Sequence, residues 1–198
     1  MVAPRPKAFI SLSSAAIGLI LLLAGPALAF EPYTQPRHIT GVEVPISSPD
    51  GRFELFYQRH DALEEMYRHH QIWLGSKTRP AKTELLYSYG RDANVAWSPD
   101  STMIAITDFE GSSSSHVLLF RISQPLAIET VSELGHFVET RSQEMLPSYD
   151  HFYIEVVGWS IDSGSLAVEL RGDLTEWDRT WTEYTTHQIR RQVKFRIP

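Results

Sequence analysis

The sequence predicts an all-β fold, a propeller-like array of about three antiparallel four-stranded sheets. Three observations predict it. A Ser-x-Asp turn followed by a β-prone run recurs three times, a second apolar run follows each occurrence, and Trp97 and Trp159 stand directly before the second and third occurrences. A single antiparallel β-sandwich or twisted sheet is the alternative, in which the same residues are ordinary turn signals.

The units align without gaps. They are Ser48-Pro49-Asp50-Gly51-Arg52-Phe53-Glu54-Leu55-Phe56, Ser98-Pro99-Asp100-Ser101-Thr102-Met103-Ile104-Ala105-Ile106 and Ser160-Ile161-Asp162-Ser163-Gly164-Ser165-Leu166-Ala167-Val168. Ser accepts hydrogen bonds from the turn, Pro presets φ at the second position, and Asp with Gly or Ser completes a type I-like geometry. The repeat units start near 46, 96 and 158. An indole before the second and third turns can pack beneath them, whereas the first unit has Ser47 there.

The second apolar runs are Gln71 to Leu74, His116 to Ile122 and Gln188 to Ile197. The last alternates over Ile189, Arg191, Val193, Phe195 and Ile197, the period of a one-sided strand. Glu84 to Tyr89 and Ala127 to Leu134 are candidate third strands, while Val95 to Trp97 and Tyr153 to Trp159 lead into the next unit. Four strands per period is the content of one propeller blade.

These units, above all Ser98-Pro99-Asp100 with Ile104-Ala105-Ile106 and His116-Val117-Leu118-Leu119-Phe120, resemble the WD40-like repeats of periplasmic TolB-type β-propellers. The resemblance covers most of residues 46 to 197. It implies the fold and, beyond it, a role as a binding scaffold. Closed propellers have about four to eight blades. With three units, strand edges must be paired, covered or charged. Either the chain forms an open three-blade arc, or the segment from Gly41 to Ile46 completes a last sheet, or copies of the chain form a homo-oligomer through exposed edge strands.

The first 29 residues read as a secretory signal peptide: Arg5 and Lys7 precede an apolar run from Ala8 to Ala24, and Ala27-Leu28-Ala29 has the small-x-small pattern of a cleavage site. Ser11, Ser13 and Ser14 interrupt the run and Gly25-Pro26 ends it, against an uncleaved membrane anchor. The expectation is a periplasmic or secreted bacterial protein whose residues 30 to 198 form a single β domain with no membrane association after cleavage. With no cysteine there is neither a lipid-attachment site nor a disulfide framework.

The chain carries 18 Lys and Arg against 24 Asp and Glu, a formal net charge of −6, and cleavage removes two of the cations and no anion. Nucleic acid and anionic lipid both need clustered cations, so neither is an expected partner.

Motifs for catalysis are missing: no G-x-S-x-G elbow, no Cys-His pair and no Gly-rich phosphate loop occur. The sequence thus assigns no catalytic residue, no metal site and no cofactor, and leans away from an enzyme. A carboxylate-dependent glycoside hydrolase or lyase acting on envelope sugars stays as the alternative, because that chemistry needs only two carboxyl groups. If His60 to His70 is helical, Asp61, Glu65 and His69 share a face, but this is not a recognised metal-ligand spacing. Gly111-Ser112-Ser113-Ser114-Ser115 reads as a flexible hairpin loop.

One connection stands out as a ligand or partner surface: Trp177, Asp178, Trp181 and Tyr184, interleaved with Glu176, Arg179 and Glu183. The three aromatics would share one helix face at i, i+4 and i+7. Exposed indoles flanked by carboxylates suit a saccharide or a basic peptide. The functional expectation is an exported, soluble, non-enzymatic binding module whose partner in the cell envelope is a protein or a saccharide.

Overall fold

A computed structural model describes residues 34–60, 69–78, 82–112, 114–124, 126–131, 136, 140, 151–177 and 184–197, with the backbone alone for 173–177 and 184–191. The signal-peptide segment, the segment 61–68 that contains Asp61 and Glu65, and Asp178 and Trp181 all lie outside the described residues.

Among the described residues the chain is essentially all-β, in three antiparallel sheets that do not close into a barrel. The first sheet contains β2 (Ile46–Ser47), β3 (Phe53–Arg59), β4 (His70–Ser76) and β5 (Thr83–Tyr89) in sequential order. In the second, β6 (Asp92–Trp97), β7 (Met103–Phe109), β8 (His116–Ser123) and β9 (Ala127–Thr130) run in order, with β1 (Arg37–His38) added beside β6. The third holds β10 (His151–Trp159), β11 (Ser165–Trp177) and β12 (Tyr184–Arg196). Among the described residues, strand counts of four, five and three stand where the repeat predicts a uniform four. The N-terminal segment is the reason for the five: Arg37 pairs with Val95 and His38 with Asn94, while Ile46 and Ser47 edge the first sheet.

Each turn is built the same way. The Ser48 carbonyl accepts from Gly51 N–H, the Ser48 hydroxyl accepts from Phe53 N–H and donates to Asp50, and Asp50 accepts from Arg52 N–H. Ser98, Asp100, Thr102 and Met103 repeat this set, as do Ser160, Asp162, Gly164 and Ser165. Ser thus joins the turn to its hairpin, and Asp closes the loop as an Asx turn. The fourth residue is left-handed in every unit: Gly51 at φ 73°, Ser101 at 62° and Ser163 at 59°. The two serines put this conformation to use, because Asp50 N–H donates to the Ser101 hydroxyl and Asp100 N–H to the Ser163 hydroxyl, each at 3.1 Å. The three turns are therefore linked one to the next.

Two cores fill the spaces between sheets. Phe53, Leu55, Ile72 and Leu74 of the first sheet meet Val95, Trp97, Ile104 and Ile106 of the second. Met103, Ala105, Val117 and Leu119, on the other face of that second sheet, meet Ile154, Val156, Leu166 and Val168 of the third. Burial on both faces explains why β7 reads as a continuous apolar run rather than an alternation. Trp97 and Trp159 end β6 and β10 in equivalent registers, opposite Ile104 and Leu166, and both are buried as the repeat predicts. Trp97 stacks on Phe53 at 6.3 Å between centroids, and the Trp159 indole N–H donates to the Ala96 carbonyl at 3.1 Å. Each indole thus packs against the unit before its own.

The edge of β10 is covered by side chains of the second sheet. Ile154 N–H donates to the Ser115 hydroxyl, which donates back to the Ile154 carbonyl, and Val156 N–H donates to the Thr107 hydroxyl. The serine-rich connection after β7 is a hairpin, as expected, but Ser115 is a buried edge cap instead of part of a flexible loop. Satisfying these amides locally removes the open ladder that invites strand addition.

Candidate functional site

Trp177 and Tyr184 are placed differently from their helical reading. Residues 173–177 continue β11 and residues 184–188 open β12, with Trp177 directly opposite Tyr184 across the hairpin. The two are therefore cross-strand neighbours at one end of a 13-residue ladder, not members of a helix face. An antiparallel pair brings residues seven apart together through a short connection as readily as two helical turns do, so spacing alone misleads here.

A site the sequence did not single out lies at the edge of the second sheet. β9 pairs with β8 only from Phe120 to Ser123, and beyond it Val131 N–H donates to the Leu119 carbonyl at 2.8 Å. Alongside the remaining half of β8 a cleft of about 390 Å³ opens. Its polar groups come from both sheets. Asp108 and His116 are cross-strand partners on β7 and β8, and Tyr87 reaches over from β5. The Tyr87 hydroxyl donates to Asp108 Oδ2 at 2.6 Å, and Asp108 is 3% exposed. At the rim, His116 Nε2 lies 3.1 Å from Glu110 Oε2, with both side chains about half exposed. Thr130 and His136 line the far side, and Leu118 and Val131 supply apolar wall.

Neighbouring rings hold Tyr87 in place. It stacks on Tyr89 at 6.4 Å with the planes 4° apart, and packs against Phe120 at 6.2 Å. Tyr89 in turn stacks on His70, which stacks on Tyr57 and shares a 2.8 Å hydrogen bond with its hydroxyl. Burial raises the Tyr89 phenol far above its ordinary range against the opposing hydrogen bond from Thr40. Burial also lowers His70, with Arg59 and His69 adding to the effect. Both groups therefore stay neutral at neutral pH, and the row of rings is an uncharged scaffold behind the cleft.

Two other surface features differ from this one. Phe56, Trp73 and Leu85 are successive cross-strand partners on the outer face of the first sheet, partly exposed, with the Trp73 indole N–H donating to Gln71. A second cleft of about 320 Å³ is lined by Arg37, Ser47, Pro49 and Trp97 among others, with no carboxylate among the described residues of its wall. Among the described residues no group of three or more His, Cys, Asp or Glu could hold a metal ion, and no helix is long and apolar enough to cross a membrane.

The signal for the cleft was present in one respect. Asp108 ends the apolar run Met103-Ile104-Ala105-Ile106-Thr107, and a carboxylate on a strand buried on both faces needs a partner. That the partner is Tyr87, on another sheet, depends on how sheets pack and has no local mark. No protein-family model matches the chain, and no curated protein matches it.

Proposed function

We propose that the chain is an exported, soluble, β-propeller-like binding module of the bacterial cell envelope, non-enzymatic, whose partner engages the cleft between β5, β7 and β8. One observation carries this reading: the polar groups of the cleft are fixed before any ligand arrives. Asp108 is held by Tyr87, Tyr87 by its ring neighbours, and Glu110 by His116. Preorganised groups in a concave, largely apolar wall are what selective binding requires. The linked turns support the likeness to WD40-like, TolB-type arrays, which present loops and edges to partners.

A glycoside hydrolase or lyase would need two carboxyl groups flanking one bond, one of them ready to give up a proton. Asp108 and Glu110 are each engaged by a neighbour, which favours recognition over proton transfer. The test is a fragment screen followed by NMR. Fragments that bind should shift the resonances of His116, Thr130 and Val131 in the wild type, and Thr130→Trp, which fills the mouth from the exposed face of β9, should abolish those shifts with the fold intact by circular dichroism. Binding that clusters elsewhere, or survives Thr130→Trp, refutes the assignment.

A further inference from the structure

We infer that the outer face of the first sheet, turned away from the second sheet, binds a neutral saccharide by stacking a pyranose ring on Trp73. Strand register builds a strip there. Phe56, Trp73 and Leu85 are successive cross-strand partners on β3, β4 and β5, and Gln58, Gln71 and Ser88 form the next row on the same face. Leu85 is 44% exposed, and Phe56 and Trp73 are partly exposed. On the other flank stands Gly75, where a Cβ would lie 2.6 Å from the Phe56 ring. Glycine in this central strand is therefore what lets the ring lie over β4.

A pyranose has C–H groups on its faces and hydroxyls around its rim. The faces stack on aromatic rings, and the hydroxyls need neighbours that both donate and accept. The amides of Gln58 and Gln71 and the Ser88 hydroxyl do both. The Trp73 indole N–H donates to Gln71 Oε1 at 3.1 Å, which fixes the ring beside that amide. All six side chains of the two rows are uncharged, which matches a neutral sugar. In the flanking row Glu54 lies 3.5 Å from Lys77 Nζ, so its charge is met within the sheet. The strip crosses three strands, about 10 Å, roughly the reach of a disaccharide. A second copy of the chain is the rival occupant. Four strands of up to seven residues give a face of roughly 14 Å by 24 Å, well under the ~800 Å² per partner that a stable dimer buries.

The probes are cellobiose, maltose and diacetylchitobiose, titrated into the whole protein by calorimetry and located by NMR at the Trp73 indole N–H and the Gln71 amide. At least one should bind saturably and shift both signals. Trp73→Ala should weaken it by about tenfold, and Trp73→Phe, which keeps a ring to stack on, by no more than about threefold. Gln71→Ala leaves every ring in place and should still weaken binding by about fivefold. Thr130→Trp, which fills the cleft, should leave sugar affinity unchanged, so this face and the cleft stand or fall separately. No saturable binding by any of the three sugars overturns the inference, as does equal affinity in wild type and Trp73→Ala with the fold intact by circular dichroism. Sugar binding lost in Thr130→Trp places the saccharide in the cleft and overturns it too. A dimer in sedimentation that Leu85→Glu dissociates gives the face to a second copy instead.

Discussion

Replacing Ser101 separates two effects that the turn combines. Ser101 is buried and left-handed at φ 62°, and its hydroxyl accepts the Asp50 N–H from the preceding unit at 3.1 Å. Ser101→Ala keeps the backbone strain and removes the hydrogen bond. A bond of this kind contributes about 1 kcal/mol net, and Asp50 is exposed enough for water to recover its amide, so the loss should stay near that value. Ser101→Gly removes the same bond but relieves a left-handed conformation that costs an L-residue about 1–2 kcal/mol. Against that, glycine adds about 0.5–1 kcal/mol of chain entropy to the unfolded state. Glycine should therefore lie within about 0.5 kcal/mol of wild type, and alanine about 1 kcal/mol below it, a reversal of their usual order in β-structure. Gly51→Ser is the reciprocal change. Its φ is 73° and a Cβ would meet nothing within 4 Å, so strain enters without a compensating contact, and the cost should be about 1 kcal/mol. Urea denaturation of the four proteins measures these differences, and melting should shift by about 2–4 °C per kcal/mol. Alanine at least as stable as glycine at position 101 would refute the account of the linked turns.

Two further outcomes follow from the cores and the turn carboxylates. Trp159→Ala removes a fully buried indole shared by the second and third sheets and should cost about 3–5 kcal/mol, whereas Trp73→Ala, on the partly exposed outer face, should cost far less; chemical denaturation of both variants checks the contrast. Burial is the largest single influence on Asp50 and Asp100 and raises both, but hydrogen bonds from Arg52 and Ser48, or from Ser98 and Thr102, together outweigh it and hold both below the ordinary aspartate value; at Asp162 the Ser160 hydroxyl leads the same lowering. A folded pKa below the unfolded one stabilises the fold fully above about pH 4 and is lost as pH falls through that range. Asp100→Asn should therefore lower stability at pH 7 and flatten its decline between about pH 5 and pH 2; an unchanged slope would show that the turn carboxylates do not drive it.

What could be read from residues alone was what residues decide locally. Ser, Asp and a left-handed fourth position sit within six residues of one another, so the turn chemistry of Ser48, Ser98 and Ser160 was visible in their order. The same holds for Trp97 and Trp159, whose burial follows from ending a strand just before a tight turn. The linkage of the turns was not legible, because Ser101 and Ser163 act on residues about 50 to 60 positions earlier, and a serine in a turn carries no mark of its acceptor role. The cleft depends on where β9 stops and on how Tyr87 crosses between sheets, both outcomes of packing. At Trp177 and Tyr184 a helical period and a hairpin register coincide, and only the pairing of β11 with β12 decides between them.

Ile104 and Ile106 belong to one core while Met103 and Ala105, their neighbours on β7, belong to the other. Neither outer layer can detach without wetting half of the strand that both depend on. Such an arrangement behaves as a nearest-neighbour chain of three, in which the central member gains from two interfaces and each terminal member from one. Amide exchange should be slowest along β7 and faster toward either end of the stack, because fraying there costs a single contact layer. A cleft at the border of the first and second layers then sits where opening of the terminal sheet and engagement of a ligand draw on the same interface, so occupancy and cooperativity are thermodynamically linked.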